Sequence, residues 1–143
     1  MIALDTNILV YARRREAPHH QAARRLLSEL AEGDVPWAIP WPCIYEFLRV
    51  VTHARVFNPP TPLAEALEDV ESLLESPSLV LLSEARGHAS HLIKLTLSAD
   101  ARGNLVHDAH IAALILQHGV SELLTCDRDF ARFPGVRWRD PFA

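Results

Sequence analysis

Apolar positions along this chain alternate between short continuous runs and stripes at helical spacing. Continuous runs are the pattern of strands covered on both faces. They occur at Ile2–Leu4, Trp37–Ile39, Leu79–Leu82 and Leu123–Cys126, with a weaker one at Val136–Trp138. Between them the period turns helical. His19 to Glu32 carries Ala22, Ala23, Leu26, Leu27 and Leu30 on one stripe. Pro42 to His53 carries Ile44, Phe47, Leu48 and Val51 at i, i+3, i+4 and i+7. Thr61-Pro62 reads as an N-cap followed by Pro at N1, opening a helix to about Glu75 that Pro77 helps to stop. Further helices are expected over about Arg86–Leu97 and Leu105–His118, the second with Gly119 at its C′ position.

Strands alternating with helices imply a parallel sheet covered on both faces. The expected class is α/β, a three-layer α/β/α sandwich with a central parallel sheet, in one domain over residues 1–143. No repeat, low-complexity segment or linker divides it. In open parallel sheets, sites form outside the carboxyl ends of the strands. Asp5 closes the first apolar run and Asp127 closes the fourth, so the fold brings together residues far apart in the chain.

Composition adds limits. Hydrophobic residues at 49% and charged residues at 22% are ordinary for a soluble globular protein. The apolar run Ile111–Leu116 is far too short for a membrane span. Met1-Ile2-Ala3-Leu4-Asp5 lacks a basic lead and meets an acid at once, so no signal peptide is expected. The two cysteines, Cys43 and Cys126, make no disulfide scaffold and suit a reduced cytoplasmic compartment. Net charge is −4, but setting aside four candidate ligand acids leaves 14 acids against 14 Lys and Arg. Arginines cluster at Arg13–Arg15, at Arg24-Arg25, and late at Arg128, Arg132, Arg137 and Arg139. Such a face can guide a polyanion; the same arginines also read as solvated surface or as contacts to a protein partner.

Four carboxylates carry the chemistry: Asp5, Glu46, Asp108 and Asp127. Asp5 opens the turn Asp5-Thr6-Asn7, where it also reads as an Asx turn or helix cap; Asn7 can orient it. Glu46 shares the polar side of its helix with Arg49 and His53, where a Glu-Arg pair at i,i+3 is the competing reading. Asp108 is the most informative, because its neighbours at i+3, i+4 and i+7 are Ile111, Ala112 and Ile115. A carboxylate on that face needs a cation or several hydrogen bonds to offset its desolvation; a first-turn acid favoured by the helix dipole is the alternative. Asp127 follows Thr125-Cys126 and precedes Asp129, itself an auxiliary ligand or a cap. Thr125 can hydrogen-bond a ligand carboxylate, and Cys126 reads as a small buried residue. Acids gathered in one cleft raise each other's pKa unless a cation joins them. Hard divalent ions such as Mg²⁺ or Mn²⁺ are held in this way, which points to metal-dependent phosphodiester hydrolysis. Arg13 and Arg49 are candidates for holding flanking phosphates, with Arg49 equally able to pair with Glu46.

Histidines at i,i+3, His88/His91 and His107/His110, have zinc-compatible spacing, yet no third ligand is marked. Helix-surface or capping roles are the expectation. Trp41, Phe57 and Phe142 are read as core packing rather than as an interface.

The sequence resembles the PIN-domain ribonucleases, specifically the VapC-like toxins of toxin–antitoxin pairs. The resemblance lies in Ile2-Ala3-Leu4-Asp5-Thr6-Asn7, Glu46-Phe47-Leu48-Arg49, His107-Asp108-Ala109-His110-Ile111-Ala112-Ala113 and Leu124-Thr125-Cys126-Asp127-Arg128-Asp129-Phe130 with Arg132-Phe133, in family order across the chain. It implies an acidic pocket of Asp5, Glu46, Asp108 and Asp127 holding Mg²⁺ or Mn²⁺, with Asn7 and Thr125 in support. It further implies endoribonuclease activity by metal-activated water, 5′-phosphate and 3′-hydroxyl products, a homodimer, and a small antitoxin whose C-terminal segment enters the groove. A non-catalytic PIN-like module that binds RNA or protein is the alternative; loss of an acid would signal it, and all four are present. His107-Asp108 also resembles the HD-type phosphohydrolases, but those are all-helical. Leu4-Asp5-Thr6-Asn7 resembles the haloacid-dehalogenase-like phosphatases, but Asn7 stands where their second Asp is needed.

Overall fold

Each of the five apolar runs forms a strand in the computed structural model, which describes residues 1–143. The strands are β1 (Ile2–Leu4), β2 (Trp37–Pro40), β3 (Leu79–Leu82), β4 (Glu122–Leu124) and β5 (Trp138–Arg139). They make one sheet in the order β3-β2-β1-β4-β5, and every pairing is parallel. Six helices connect them: α1 (Thr6–Arg13), α2 (His20–Glu32), α3 (Trp41–Val51), α4 (Leu63–Leu74), α5 (His88–Ala99) and α6 (Leu105–Gln117). A 3₁₀ turn, Arg128–Arg132, precedes β5.

Parallel crossovers are right-handed. The steps β1→β2→β3 and the long return β3→β4 run in opposite directions across the sheet, so they place their helices on opposite faces. α1 packs on α2 and α3, α3 packs on α4, and α5 packs on α6. This is the α/β sandwich expected from the alternating pattern. The sheet switches direction between β1 and β4, where a crevice opens at the carboxyl ends of the strands.

Local differences from the sequence reading have physical causes. α4 starts at Leu63 with Pro62 as its N-cap, not Thr61. Thr61 is buried, and its hydroxyl accepts from Arg14 Nη1 at 3.1 Å instead of capping the helix. α2 starts one residue late because His19 takes a left-handed φ of 56°. α5 starts at His88 because Gly87 has φ 89°. β4 ends at Leu124, since Thr125 and Cys126 turn their polar groups into the network described below. Val136 closes a turn onto the Phe133 carbonyl, which moves β5 to Trp138–Arg139. Gly119 has φ 62°, as the C′ position requires.

The core is a cluster of 29 buried residues. α6 lies deep in it, with Ala109 and every residue from Ile111 to Ile115 buried. Trp41, Phe57 and Phe142 pack against this cluster while partly exposed. Leu114 is fully buried, so Leu114→Ala removes methyl groups and leaves a cavity, a loss of about 2–5 kcal/mol. Urea unfolding followed by circular dichroism measures it. A loss well under 1 kcal/mol would contradict the burial of this face of α6.

Candidate active site

Asp5 leaves β1 only 5% exposed. Its backbone N–H donates to the Leu124 carbonyl at 3.1 Å, continuing the β1–β4 pairing by one residue. Oδ1 accepts from the Thr6 N–H at 2.7 Å and from the Cys43 thiol at 3.6 Å. Oδ2 accepts from Thr125 Oγ1 at 2.7 Å and from Asn7 Nδ2 at 3.0 Å. The Thr125 hydroxyl therefore gives its one proton to Asp5. Its lone pairs receive Asn7 Nδ2 and the Asp127 N–H, both at 3.0 Å. Asn7 Oδ1 accepts from the Cys126 N–H at 3.2 Å, which fixes the amide's orientation. Burial pushes the Asp5 carboxyl above its ordinary pKa, against the lowering effect of the Thr125 and Thr6 hydrogen bonds.

The other acids arrive from neighbouring elements. α3 begins directly after β2 and places Glu46 so that Oε2 accepts from Thr6 Oγ1 at 3.1 Å. Glu46 Oε1 accepts from Arg49 Nη2 at 3.3 Å, so the i,i+3 pair also forms. Asp108 sits in the first turn of α6. Asp127 follows β4, and its Oδ1 accepts from the Asp129 N–H at 2.8 Å, capping the 3₁₀ turn. Asp5, Glu46, Asp108 and Asp127 line one cleft of about 230 Å³ with Thr6, Asn7, Val10, Tyr11 and Val50. No lysine or arginine is among these lining residues. Carboxylate oxygens of Asp108, Asp127 and Asp129 all lie within 4.8 Å of one another. Desolvation, then the charges of Asp127, Asp5, Asp129 and Glu46, raise the Asp108 pKa to about 7.

Arg13 and Arg49 part company. Arg49 lines a groove of about 500 Å³ with Trp41, Tyr45, Glu46, Glu84, His107 and His110, and Glu46 belongs to both this groove and the acidic cleft. Arg13 is instead paired with Glu65 and Asp69 of α4, and it does not line the cleft. Cys126 donates toward Asp140 Oδ1 at 3.5 Å, and burial raises its pKa to about 12, which leaves it a poor nucleophile. Sequence reasoning missed two donors. Thr6 holds Glu46, and Cys43 holds Asp5; burial keeps that thiol protonated. Cys43 stands one helical turn before Glu46, a spacing that puts both on one face of α3.

The sequence matches the PIN domain family over residues 2–136. This chain belongs to the PIN-domain family. Curated relatives of this PIN protein are ribonucleases by name. Ribonuclease VapC43 of Mycobacterium tuberculosis is 40% identical over 141 residues, covering 99% of this chain and 95% of the relative. Ribonuclease VapC48 of the same organism is 35% identical over 139 residues, covering 97% and 96%. The fold is shared with VapBC2 from Rickettsia felis, bound to a promoter DNA fragment, at TM-score 0.71 and 20% identity, covering 97% of this chain and 98% of that one. It is also shared with Mycobacterium tuberculosis VapC20, described as a sarcin-ricin loop cleaving toxin, at TM-score 0.69 and 17% identity, covering 96% and 99%.

The raised pKa of Asp108 has a consequence for the metal-free PIN domain. The folded state holds this proton more tightly than the unfolded chain does. The group therefore costs nothing below about pH 4, and its cost grows as pH rises from there toward about 7. Asp108→Asn is expected to stabilise the chelator-treated protein at pH 8 by roughly 1–2 kcal/mol, discounted because water screens a half-buried group. At pH 4 the gain is expected to vanish. Melting curves of both proteins at the two pH values decide this, and equal stabilisation at both would remove the electrostatic explanation.

Proposed function

We propose that this PIN-domain protein is a metal-dependent endoribonuclease, the toxin of a toxin–antitoxin pair acting in the cytoplasm. The observation that carries the reading is one cleft lined by Asp5, Glu46, Asp108 and Asp127 and by no cationic side chain. The donor set fits a hard divalent ion, Mg²⁺ or Mn²⁺. Its ligands are carboxylate oxygens, and the mutual repulsion that lifts Asp108 is relieved by positive charge. Asp5, Glu46, Asp108 and Asp127 would hold the ion, with Asp129 as an auxiliary oxygen. When bound, a divalent ion lowers the pKa of water and neutralises charge at the phosphate.

The chain's own part is positioning. Thr125, Asn7 and Cys43 aim the Asp5 carboxylate, and Thr6 aims Glu46. The groove that continues from Glu46 offers Arg49 to a flanking phosphate and Trp41 and Tyr45 to bases. Arg13 reaches a phosphate only by leaving Glu65 and Asp69. Hydrolysis in such a site leaves 5′-phosphate and 3′-hydroxyl ends. The names of the VapC ribonucleases support RNA as substrate. The VapBC assemblies among the structural neighbours support an antitoxin partner; in this reading the antitoxin is small, its C-terminal segment enters the groove, and the toxin is a homodimer. A non-catalytic binding module is not favoured, since none of the four acids is lost. No helix is long and apolar enough to cross a membrane.

Incubation of a mixed structured RNA pool with antitoxin-free protein and Mg²⁺ or Mn²⁺ tests the activity. Cleavage is expected for the wild type, with at least about a hundredfold loss in Asp5→Asn and about 10–100-fold loss in Thr125→Val. Equal rates for Asp5→Asn and wild type would refute the assignment. Mn²⁺ at a hundred times its Kd is also expected to add about 2.7 kcal/mol of stability, an effect that Asp108→Asn weakens.

A further inference from the structure

A second group of metal-ligating side chains lies outside the acidic cleft. Glu84 follows β3, His88 is the first residue of α5, and His110 lies on α6. Each offers a ligand atom, and the three atoms fall within 4.8 Å of one another. The histidines spaced i,i+3 along each helix do not act as pairs. One histidine from each pair meets across the α5–α6 contact, and a glutamate from the preceding loop supplies the third donor.

Hydrogen bonds orient these donors. His110 Nε2 lies 2.5 Å from Glu84 Oε1. His88 Nδ1 lies 3.1 Å from Gln117 Oε1. The Gln117 amide is itself fixed, since its Nε2 donates to the Arg86 carbonyl at 3.3 Å and its Oε1 accepts from the Ala85 N–H at 3.4 Å. Gln117 Oε1 is thus an acceptor, so His88 Nδ1 is the donor in this bond, and Nε2 is the nitrogen that the neutral tautomer leaves with a lone pair. A ring nitrogen fixed by an outer hydrogen bond, with the other free, is how metal-binding histidines are prepared. The two imidazoles stand edge to face with centroids 5.6 Å apart, so neither ring covers the other.

We infer that Glu84, His88 and His110 form a transition-metal site, selective for Zn²⁺ or Co²⁺ over the hard ions suited to the acidic cleft. Two imidazoles and one carboxylate are an established zinc ligand set and leave the ion a fourth position. Ligands around one tetrahedral zinc stand roughly 3.4 Å apart. To reach that spacing His110 Nε2 and Glu84 Oε1 would part slightly from their hydrogen bond, a movement open to side chains that are exposed or half-buried. The bound ion would clamp the loop after β3 to α6, the helix that also carries Asp108. Glu84 and His110 line the groove that reaches Glu46, so the site borders the proposed RNA path without sharing a ligand with the acidic cleft.

Co²⁺ is the probe, since tetrahedral nitrogen-containing sites give it an intense visible absorption that six-coordinate oxygen sites lack. Wild-type protein and Asp108→Asn are titrated, with His88→Ala and Glu84→Gln beside them and far-ultraviolet circular dichroism reporting the fold. The expected result is a saturable band at one equivalent in wild type and Asp108→Asn. Stoichiometric Zn²⁺ should displace it, and Co²⁺ affinity should fall at least tenfold in His88→Ala and Glu84→Gln. A band lost in Asp108→Asn but kept in His88→Ala would put the ion in the acidic cleft and overturn the inference. So would the absence of any tetrahedral band from the wild type. Nuclease activity plays no part in the readout, so either result leaves the ribonuclease reading to its own test.

Discussion

The structure around the cleft depends on keeping one carboxylate, Asp5, almost out of water. A buried carboxylate without partners costs several kcal/mol, and Asp5 has four: Thr6, Asn7, Cys43 and Thr125. They come from three places, the start of α1, the first turns of α3 and the segment after β4. Those segments surround β1 only because β2 and β4 flank it in the sheet. The strand order and the hydrogen-bond network are therefore one constraint seen at two scales. Displacing β4 would strip Asp5 of Thr125, and Asn7 of the Cys126 N–H.

Charge is managed locally. Arg13, Arg14, Arg102 and Arg139 each face a carboxylate of this chain, and Arg14 also stacks over the Phe57 ring at 4.4 Å. Of the nine clustered arginines that suggested a basic face, three, Arg13, Arg14 and Arg139, are paired with carboxylates within the molecule. In the cleft, Asp5, Asp108 and Asp127 meet with no ion pair of their own, while Glu46 has Arg49.

Much of this was legible in the chain, for reasons that differ by residue. Asp5 and Asp127 follow apolar runs, and parallel strands bring such ends together whatever their separation in sequence. Asp108 stands out because its helix has hardly any polar face to hold it. Glu46 was ambiguous because the same side chain pairs with Arg49 and also lines the acidic cleft, where Thr6 holds its other oxygen. Thr61-Pro62 misled, because a capping residue type says nothing about a competing partner such as Arg14, distant in sequence. The thiol of Cys43 and the meeting of His88 with His110 depend on how helices pack, which one-dimensional spacing does not encode. Gln117 shows the same limit: its role exists only through three neighbours on the α5 side.

The Asp5–Thr125 hydrogen bond spans 120 residues of chain. During synthesis the N-terminal part is made first, so β1 emerges with its central carboxylate long before β4 exists to cover it. Until residues 122–127 leave the ribosome, Asp5 lacks its shortest side-chain donor and the cleft lacks Asp127. A growing chain thus holds α1 to α6 without a finished pocket. The four-acid cleft is completed only when the segment after β4 is made.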